Sequence, residues 1–177
     1  VEVLASAGTL ATLREDLFNG RTWPDFFALS TPEEQFLAAT TLEPMVTIER
    51  AGYRITPVPV SHGTDTLAMI VDDGQSCLAF TADTGPTELV WAELARRPNV
   101  RGVFLECSFP QALAGLADRS GHLAPASFAT QVARLPAGVR TLVVHRKAAH
   151  AAAIAAELAA LKLSGVELAE PGRSYEF

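Results

Sequence analysis

Residues 77–86 read Cys-Leu-Ala-Phe-Thr-Ala-Asp-Thr-Gly-Pro, an apolar run that ends in a polar cluster and then meets a proline. The apolar run is typical of a buried strand, and proline suits the first turn of a helix. We therefore predict a strand–turn–helix unit with Asp83 at the carboxyl end of the strand. Strand ends hold polar side chains rigidly at one edge of a sheet, where ligand sites are commonly built.

Two more apolar runs end in the same way, and both deliver a histidine. The first leads into Ser61-His62-Gly63, and the second leads into Val144-His145-Arg146-Lys147. Taken alone, His62 is more typical of a hydrogen-bonded residue at a strand end, and Asp83 of a helix cap. Taken together, two imidazoles and a carboxylate at strand ends indicate a hydrolytic metal site.

A second polar pair lies between the second and third clusters, in Glu106-Cys107-Ser108-Phe109 and Gly121-His122-Leu123. A lone carboxylate at the end of an apolar strand is unfavourable unless it has a partner. An acid beside an imidazole orients the ring so that it donates a proton to a leaving oxygen. The alternative is a structural salt bridge or a cap for the segment after Gly121, and the residues alone do not separate the two.

The periodicity along the chain predicts a mixed sheet layered with helices, of the α/β class, in a single domain over residues 1–177. Asp72-Asp73-Gly74-Gln75 has the turn chemistry of a hairpin. The predicted helices cover residues 9–18 (with Thr9 as N-cap), 86–97, 125–134 and 148–163. The predicted strands cover residues 1–5, 44–49, 53–60, 67–71, 77–81, 100–106, 140–145, 166–168 and 174–177.

The composition limits the classes of partner that the chain is expected to bind. A net charge of −6 argues against a protein that coats nucleic acid, and no apolar stretch is long enough to predict a membrane span. Cys77 and Cys107 lie in strand-like runs and read as buried free thiols. The visible chain shows no signal peptide, so the cytoplasm and the bacterial periplasm both remain open. It starts in strand pattern without methionine, from which we expect that the start of the domain is missing.

These clusters, taken in order, resemble the class II cyclic-nucleotide phosphodiesterases of the metallo-β-lactamase superfamily. The matching stretches are Ser61-His62-Gly63, Ala82-Asp83-Thr84-Gly85-Pro86, Glu106-Cys107-Ser108-Phe109-Pro110, Gly121-His122-Leu123-Ala124-Pro125 and His145-Arg146-Lys147. The resemblance implies a four-layer αββα sandwich that is incomplete at its N-terminus. It also implies hydrolysis of 3′,5′-cyclic nucleotides, cyclic AMP or cyclic GMP, with a small-molecule substrate and the option of a homodimer.

The same resemblance implies a role for each site residue. His62 would bind one metal ion, His145 a second, and Asp83 would bridge the two, which would be zinc with manganese or iron as alternatives. Glu106 and His122 would form the acid–histidine pair that protonates the leaving oxygen, as in the related transfer-RNA 3′-processing endonuclease. Lys147 would hold a phosphate oxygen of the substrate.

The chain also departs from the pattern of that family. The superfamily's His-x-His-x-Asp-His cluster, which supplies most metal ligands, does not occur in the 177 residues. We expect it upstream of Val1, and we expect this chain alone to bind metal weakly and to be inactive. Arg146 and Ala148 replace the usual Leu and Pro around Lys147. Two alternatives to a cyclic-nucleotide phosphodiesterase stay open. The chain could belong to another phosphodiesterase or hydrolase of the same fold, or it could be a scaffold domain that has lost the metal cluster.

Overall fold

The computed structural model describes residues 1–177, which fall into two compact units. The first unit, residues 1–46, contains strand β1 (Glu2–Ala5), helix α1 (Ala7–Thr12) with a π-helical turn (Leu13–Leu17), and strand β2 (Ala38–Thr41). Strands β1 and β2 pair in parallel, with Glu2 opposite Ala38.

The second unit, residues 47–177, is built on a seven-stranded mixed sheet. Its strands follow the order of the sequence: β3 (Ile48–Arg50), β4 (Tyr53–Pro59), β5 (Leu67–Asp72), β6 (Cys77–Phe80), β7 (Val100–Glu106), β8 (Arg140–Val144) and β9 (Val166–Leu168). Strands β3 to β6 are antiparallel, and β6 to β9 are parallel. The prediction of hairpins followed by strand–helix alternation is confirmed.

The helices of this unit lie in the connections between the later strands. They are α2 (Leu89–Ala95), α3 (Ala114–Arg119) after a 3₁₀ turn (Gln111–Leu113), α4 (Pro125–Val132), and α5 (Ala151–Ala160) after a second 3₁₀ turn (Ala148–His150). Apolar residues of α2, α4 and α5 form one buried core with those of the sheet, including Trp91, Phe128, Ile154, Val103 and Val143. This core fixes the strands whose ends carry the polar clusters. No helix of the structure has the length and apolar character that a membrane crossing requires.

The hairpin between β5 and β6 forms as its turn residues predict. The Asp73 carboxylate accepts hydrogen bonds from the backbone N–H groups of Gln75 and Ser76 at 2.8 and 2.7 Å, and Gly74 has a φ of +92°. The side chain thus replaces a missing backbone partner, as expected for aspartate in a turn. Asp72 lies opposite Cys77, which sets the register of the pair.

Several predicted boundaries are wrong. The N-cap of α1 is Ser6 rather than Thr9, because the Ser6 hydroxyl accepts the Thr9 N–H at 3.2 Å. The helix after Pro86 begins only at Leu89, and the Thr87 N–H donates to the Gln131 side chain at 3.1 Å.

Two predicted strands also differ from the structure. The strand predicted over residues 44–49 is reduced to β3, because Met45 adopts a φ of +66°. Residues 174–177 form no strand. Instead, Phe177 lies against Gly102, where an added Cβ would come within 2.2 Å of the Phe177 ring. Strand β2 and helix α3 were not predicted.

Candidate active site

The candidate site lies where the parallel strands β6, β7 and β8 end side by side. The chain leaving β6 carries Asp83, β7 ends in Glu106, and the residue after β8 is His145. Ligand atoms of these three residues and of His122 all lie within 4.8 Å of one another. The convergence follows from topology, because the carboxyl ends of neighbouring parallel strands meet at one edge of the sheet.

Glu106 and His122 form a buried pair. The His122 Nδ1 lies 2.6 Å from Glu106 Oε1, and the carboxylate is completely buried. The same carboxylate accepts the backbone N–H groups of Thr84 at 2.8 Å and Leu123 at 3.3 Å, and the Ser108 hydroxyl at 2.6 Å. Four donors fill the acceptor capacity of a carboxylate, so Glu106 has no lone pair left for a metal ion. Its remaining role is to orient His122.

Asp83 and His145 form a second pair that is open to solvent. His145 Nδ1 lies 2.7 Å from Asp83 Oδ1, and their side chains are 44% and 39% exposed. The backbone is sharply turned at His145, which has a φ of +53°, and at Ala82, the residue before Asp83, which has a φ of +54°. Such conformations are uncommon for non-glycine residues and concentrate at functional sites. The burial difference separates the two pairs: one is sealed in the fold and the other faces the solvent.

His62 lies next to these residues. Its ring centroid is 5.0 Å from that of His122, and its Nδ1 is 2.9 Å from the carbonyl oxygen of Gly121. A carbonyl only accepts hydrogen bonds, so His62 carries its proton on Nδ1 and keeps the Nε2 lone pair free. Histidines that bind metal through one ring nitrogen commonly donate the other N–H to a backbone carbonyl, which orients the ring. The role of His62 as a ligand remains a prediction.

The backbone at Gly121 explains why glycine precedes His122. Gly121 has a φ of +67°, and an added Cβ would lie 2.9 Å from His62 Cα and 3.0 Å from His62 Nδ1. Both the left-handed conformation and the close approach of the two segments therefore require a residue without a Cβ. Gly121 is thus the contact that holds the two histidines in place.

We expect Gly121→Ala to destabilise the protein by about 1–2 kcal/mol, the usual cost of a left-handed alanine. That cost corresponds to a fall in Tm of roughly 2–8 °C, measured by thermal denaturation. Gly115→Ala is the matched control, because a Cβ at this exposed position in α3 meets only Arg119 Nη1 at 3.6 Å. The control should not lower Tm, and equal effects of the two changes would contradict the role given to Gly121.

Lys147 lies beside the buried pair rather than on it. Its ammonium nitrogen is 4.9 Å from the centroid of the Phe109 ring, whose other neighbour is the His122 ring at 5.7 Å. Arg146 instead donates to the carbonyl oxygen of Ala169 at 3.0 Å. The structure thus separates the two cations, with Lys147 over the Phe109 ring and Arg146 directed toward the segment after β9.

Sequence reasoning did not assign roles to Ser108, Phe109 or Gly121. The Glu-x-Ser-Phe and Gly-His-Leu motifs contained the signal, but only the structure shows which atoms these residues contact. Cys107, between Glu106 and Ser108, is excluded as a nucleophile. Burial, with the nearby charge of Glu106 adding to it, raises the pKa of its thiol to about 12.

The donor set at this edge suits a divalent metal ion. Asp83 and His145 combine a carboxylate with an imidazole, and both remain partly open to solvent. Oxygen and nitrogen donors of this kind are the usual ligands of zinc and related ions. Glu106 belongs to the same cluster but is already saturated, and His122 is buried and held by Glu106 through Nδ1, so Asp83 and His145 are the members that face the solvent.

One curated relative is similar in sequence. A Yersinia pestis protein named "Probable 3′,5′-cyclic-nucleotide phosphodiesterase" is 28% identical over 145 residues, covering 70% of this chain and 40% of the relative. No protein-family model matches the chain.

Solved structures give a closer match in shape than in sequence. Unliganded yeast PDE1 superposes with a TM-score of 0.77 at 20% identity, over 94% of this chain and 56% of that protein. The metallo-β-lactamase fold protein YhfI of Bacillus subtilis gives 0.67 at 18% identity, over 96% of this chain and 62% of YhfI. The chain has the metallo-β-lactamase fold.

The predicted mixed α/β fold is therefore confirmed. The predicted resemblance is also confirmed, because the curated relative is named a cyclic-nucleotide phosphodiesterase and the solved structures have the metallo-β-lactamase fold. Zinc-bound PqqB from Methylobacterium extorquens has a similar fold, with a TM-score of 0.74 at 17% identity over 99% of this chain and 64% of PqqB. This chain spans about two fifths of the length of its curated relative. It spans less than two thirds of each of these three structures.

Proposed function

We propose that this chain belongs to a metal-dependent hydrolase that converts 3′,5′-cyclic nucleotides into 5′-nucleotides. The observation that carries the proposal is that the buried Glu106–His122 pair lies beside the solvent-exposed Asp83–His145 pair. Ligand atoms of the four residues lie within 4.8 Å of one another. Such a site combines a proton donor with metal-binding groups, which is what a phosphodiester needs when its leaving group is an alkoxide.

His62, Asp83 and His145 would hold the divalent ions, and the Asp83 carboxylate, with its two oxygens, would be the ligand shared between two of them. Zinc suits these ligands, and manganese or iron are the alternatives. When bound, the ions supply a water of lowered pKa and polarise the phosphoryl oxygens. The hydrogen bond from His62 to Gly121 and the contact between His145 and Asp83 orient the two imidazoles in advance.

His122 protonates the leaving oxygen. Because its Nδ1 is held by the Glu106 carboxylate, the ring presents Nε2 away from that partner. In a cyclic nucleotide the P–O3′ bond would break as the water oxygen bonds to phosphorus, and the proton from His122 would go to the ribose 3′ oxygen. The proton that the water loses would go to solvent, from which His122 regains its own. The product is a 5′-nucleotide. Lys147 sits one ring away, and its charge neutralises a non-bridging phosphate oxygen.

Two observations support a small cyclic nucleotide over a nucleic acid. The curated relative is named a 3′,5′-cyclic-nucleotide phosphodiesterase, and the chain carries a net charge of −6. A polynucleotide substrate would require a surface of positive charge along its backbone. The three proposed ligands are too few to complete two four-coordinate sites, so further ligands must come from elsewhere in the protein.

Hydrolysis of cyclic AMP and cyclic GMP by the purified hydrolase, complete with the remaining metal ligands, tests the proposal when it is measured with and without metal. We expect 5′-nucleotide product that disappears after chelation and returns with zinc, manganese or iron. Product identity is read by chromatography against 3′- and 5′-nucleotide standards. Activity that survives complete metal removal, or release of a 3′-nucleotide, would contradict the mechanism. A metal-loaded protein that cleaves neither nucleotide would favour another substrate of the same fold.

A further inference from the structure

Ser108 lies between the two halves of the site. Its side chain is completely buried, and its hydroxyl oxygen is 2.6 Å from Glu106 Oε2 and 3.1 Å from His145 Nδ1. A third contact, also at 3.1 Å, reaches the carbonyl oxygen of His145. One hydroxyl group therefore touches both the sealed pair and the open pair.

The position of Ser108 follows from strand alternation. Side chains two residues apart in an extended segment point the same way, so Ser108 shares the side of Glu106 while Cys107 points into the apolar core. The main chain of Ser108 is bound on both sides as well. Its N–H donates to Leu123 O at 3.0 Å, and its carbonyl accepts the Lys147 N–H at 3.4 Å. Leu123, directly after His122, and Lys147, two residues after His145, are thus both hydrogen-bonded to the backbone of Ser108.

The hydroxyl proton has one preferred acceptor. A carboxylate at 2.6 Å is closer and more strongly charged than the other two groups, so the proton lies toward Glu106. The Ser108 oxygen is then an acceptor toward His145. His145 Nδ1 faces this oxygen and the Asp83 carboxylate, which is also an acceptor, so Nδ1 carries the ring proton. The Nε2 lone pair of His145 is left for a ligand.

We propose that Ser108 is a positioning residue that couples the proton-donor pair to His145, so that a single hydroxyl sets the orientation of both. It contacts no substrate and acts through the Glu106 carboxylate and the His145 ring. The assignment rests on the proposed function for its catalytic consequence, but the coupling of the two histidines is a property of the fold alone.

Ser108→Ala tests the coupling, with Thr141→Val as the matched control. Thr141 lies on β8, the strand that leads to His145, and its buried hydroxyl has no hydrogen-bond partner. Loss of the Thr141 hydroxyl should be neutral or stabilising, whereas loss of the Ser108 hydroxyl removes bonds to both pairs. Ser108→Thr keeps the hydroxyl and should recover most of what the alanine loses.

Two measurements read the result. Nitrogen NMR of the imidazoles should show changes at both His122 and His145 in Ser108→Ala, and at neither in Thr141→Val. In the metal-loaded enzyme, turnover and metal affinity should each fall by about 10–100-fold in Ser108→Ala, the usual range for groups that orient ligands. KM should change much less than turnover, because Ser108 does not touch the substrate.

The outcomes separate this inference from the proposed function. Coupled NMR changes in a protein that hydrolyses no cyclic nucleotide would keep the coupling and reject the activity. Changes at only one of the two histidines would overturn the coupling, whatever the activity. A Ser108→Ala protein with unchanged turnover and unchanged imidazole signals would show that the hydroxyl is only a packing group.

Discussion

Replacing His122 with alanine is expected to lower the turnover of cyclic nucleotides by roughly a hundredfold or more, the usual range for a lost general acid. The reason is geometric, since His122 is the one imidazole held by the buried Glu106 carboxylate. Metal content should not change, because His122 is not a proposed ligand. Steady-state kinetics and elemental analysis of the same preparations measure both quantities.

Two further comparisons identify the lost step as proton donation. A nitrophenyl phosphodiester, whose leaving group needs no proton, should recover much of the activity of His122→Ala. Glu106→Gln should give a milder form of the same pattern, because it weakens the orientation of the ring without removing it. His150→Ala is the control, since His150 lies at the start of α5 outside the cluster. Equal losses on both substrates, or metal loss in His122→Ala, would show that His122 is misassigned.

Asp83→Ala is expected to remove both metal and activity. Its carboxylate is the proposed bridge between the ions and the partner of His145 at 2.7 Å. The metal supplies several kcal/mol of transition-state stabilisation, and each 1.36 kcal/mol is tenfold in rate, so turnover should fall by roughly a thousandfold or more. Elemental analysis should show less bound metal, and the nitrophenyl substrate should bring no recovery.

Asp118→Asn provides the comparison for this change, because Asp118 is an exposed carboxylate on α3 and lies outside the cluster. Its metal content and turnover should match those of the unmodified protein. Full metal occupancy in Asp83→Ala would exclude Asp83 as a ligand. If the nitrophenyl phosphodiester restores activity in His122→Ala but not in Asp83→Ala, the two pairs of the site have different functions.

The two halves differ in environment because they have different tasks in the proposed reaction. A carboxylate that only orients an imidazole gains from complete burial, provided that every lone pair is satisfied, as at Glu106. Groups that receive metal and substrate must stay accessible, as Asp83 and His145 do. The two pairs meet at the ends of three adjacent parallel strands, so small changes in strand register would separate them.

The sequence by itself determined the order of the elements and the residues that end the strands. Apolar runs of strand length, the Asp-Gly turn and the later strand–helix alternation are local patterns, and they predicted the mixed sheet correctly. His62, Asp83, Glu106 and His145 were identified in the same way, because each follows or ends an apolar run, and a buried polar residue needs a partner. His122 was identified as the imidazole that could pair with Glu106. Contacts between distant segments were missed, such as the hydrogen bond from the Thr87 N–H to the Gln131 side chain.

Only the tertiary structure decided which partners these residues take. Ser108 and His145 are 37 residues apart, and His62 and Gly121 are 59 residues apart, yet each pair is in hydrogen-bond contact. No local pattern encodes such contacts, because they depend on the sheet order that places β6, β7 and β8 side by side and on the turn at Gly121 that brings His122 back to them. The sequence supplied the chemical groups, and the packing of the sheet set their distances and burial.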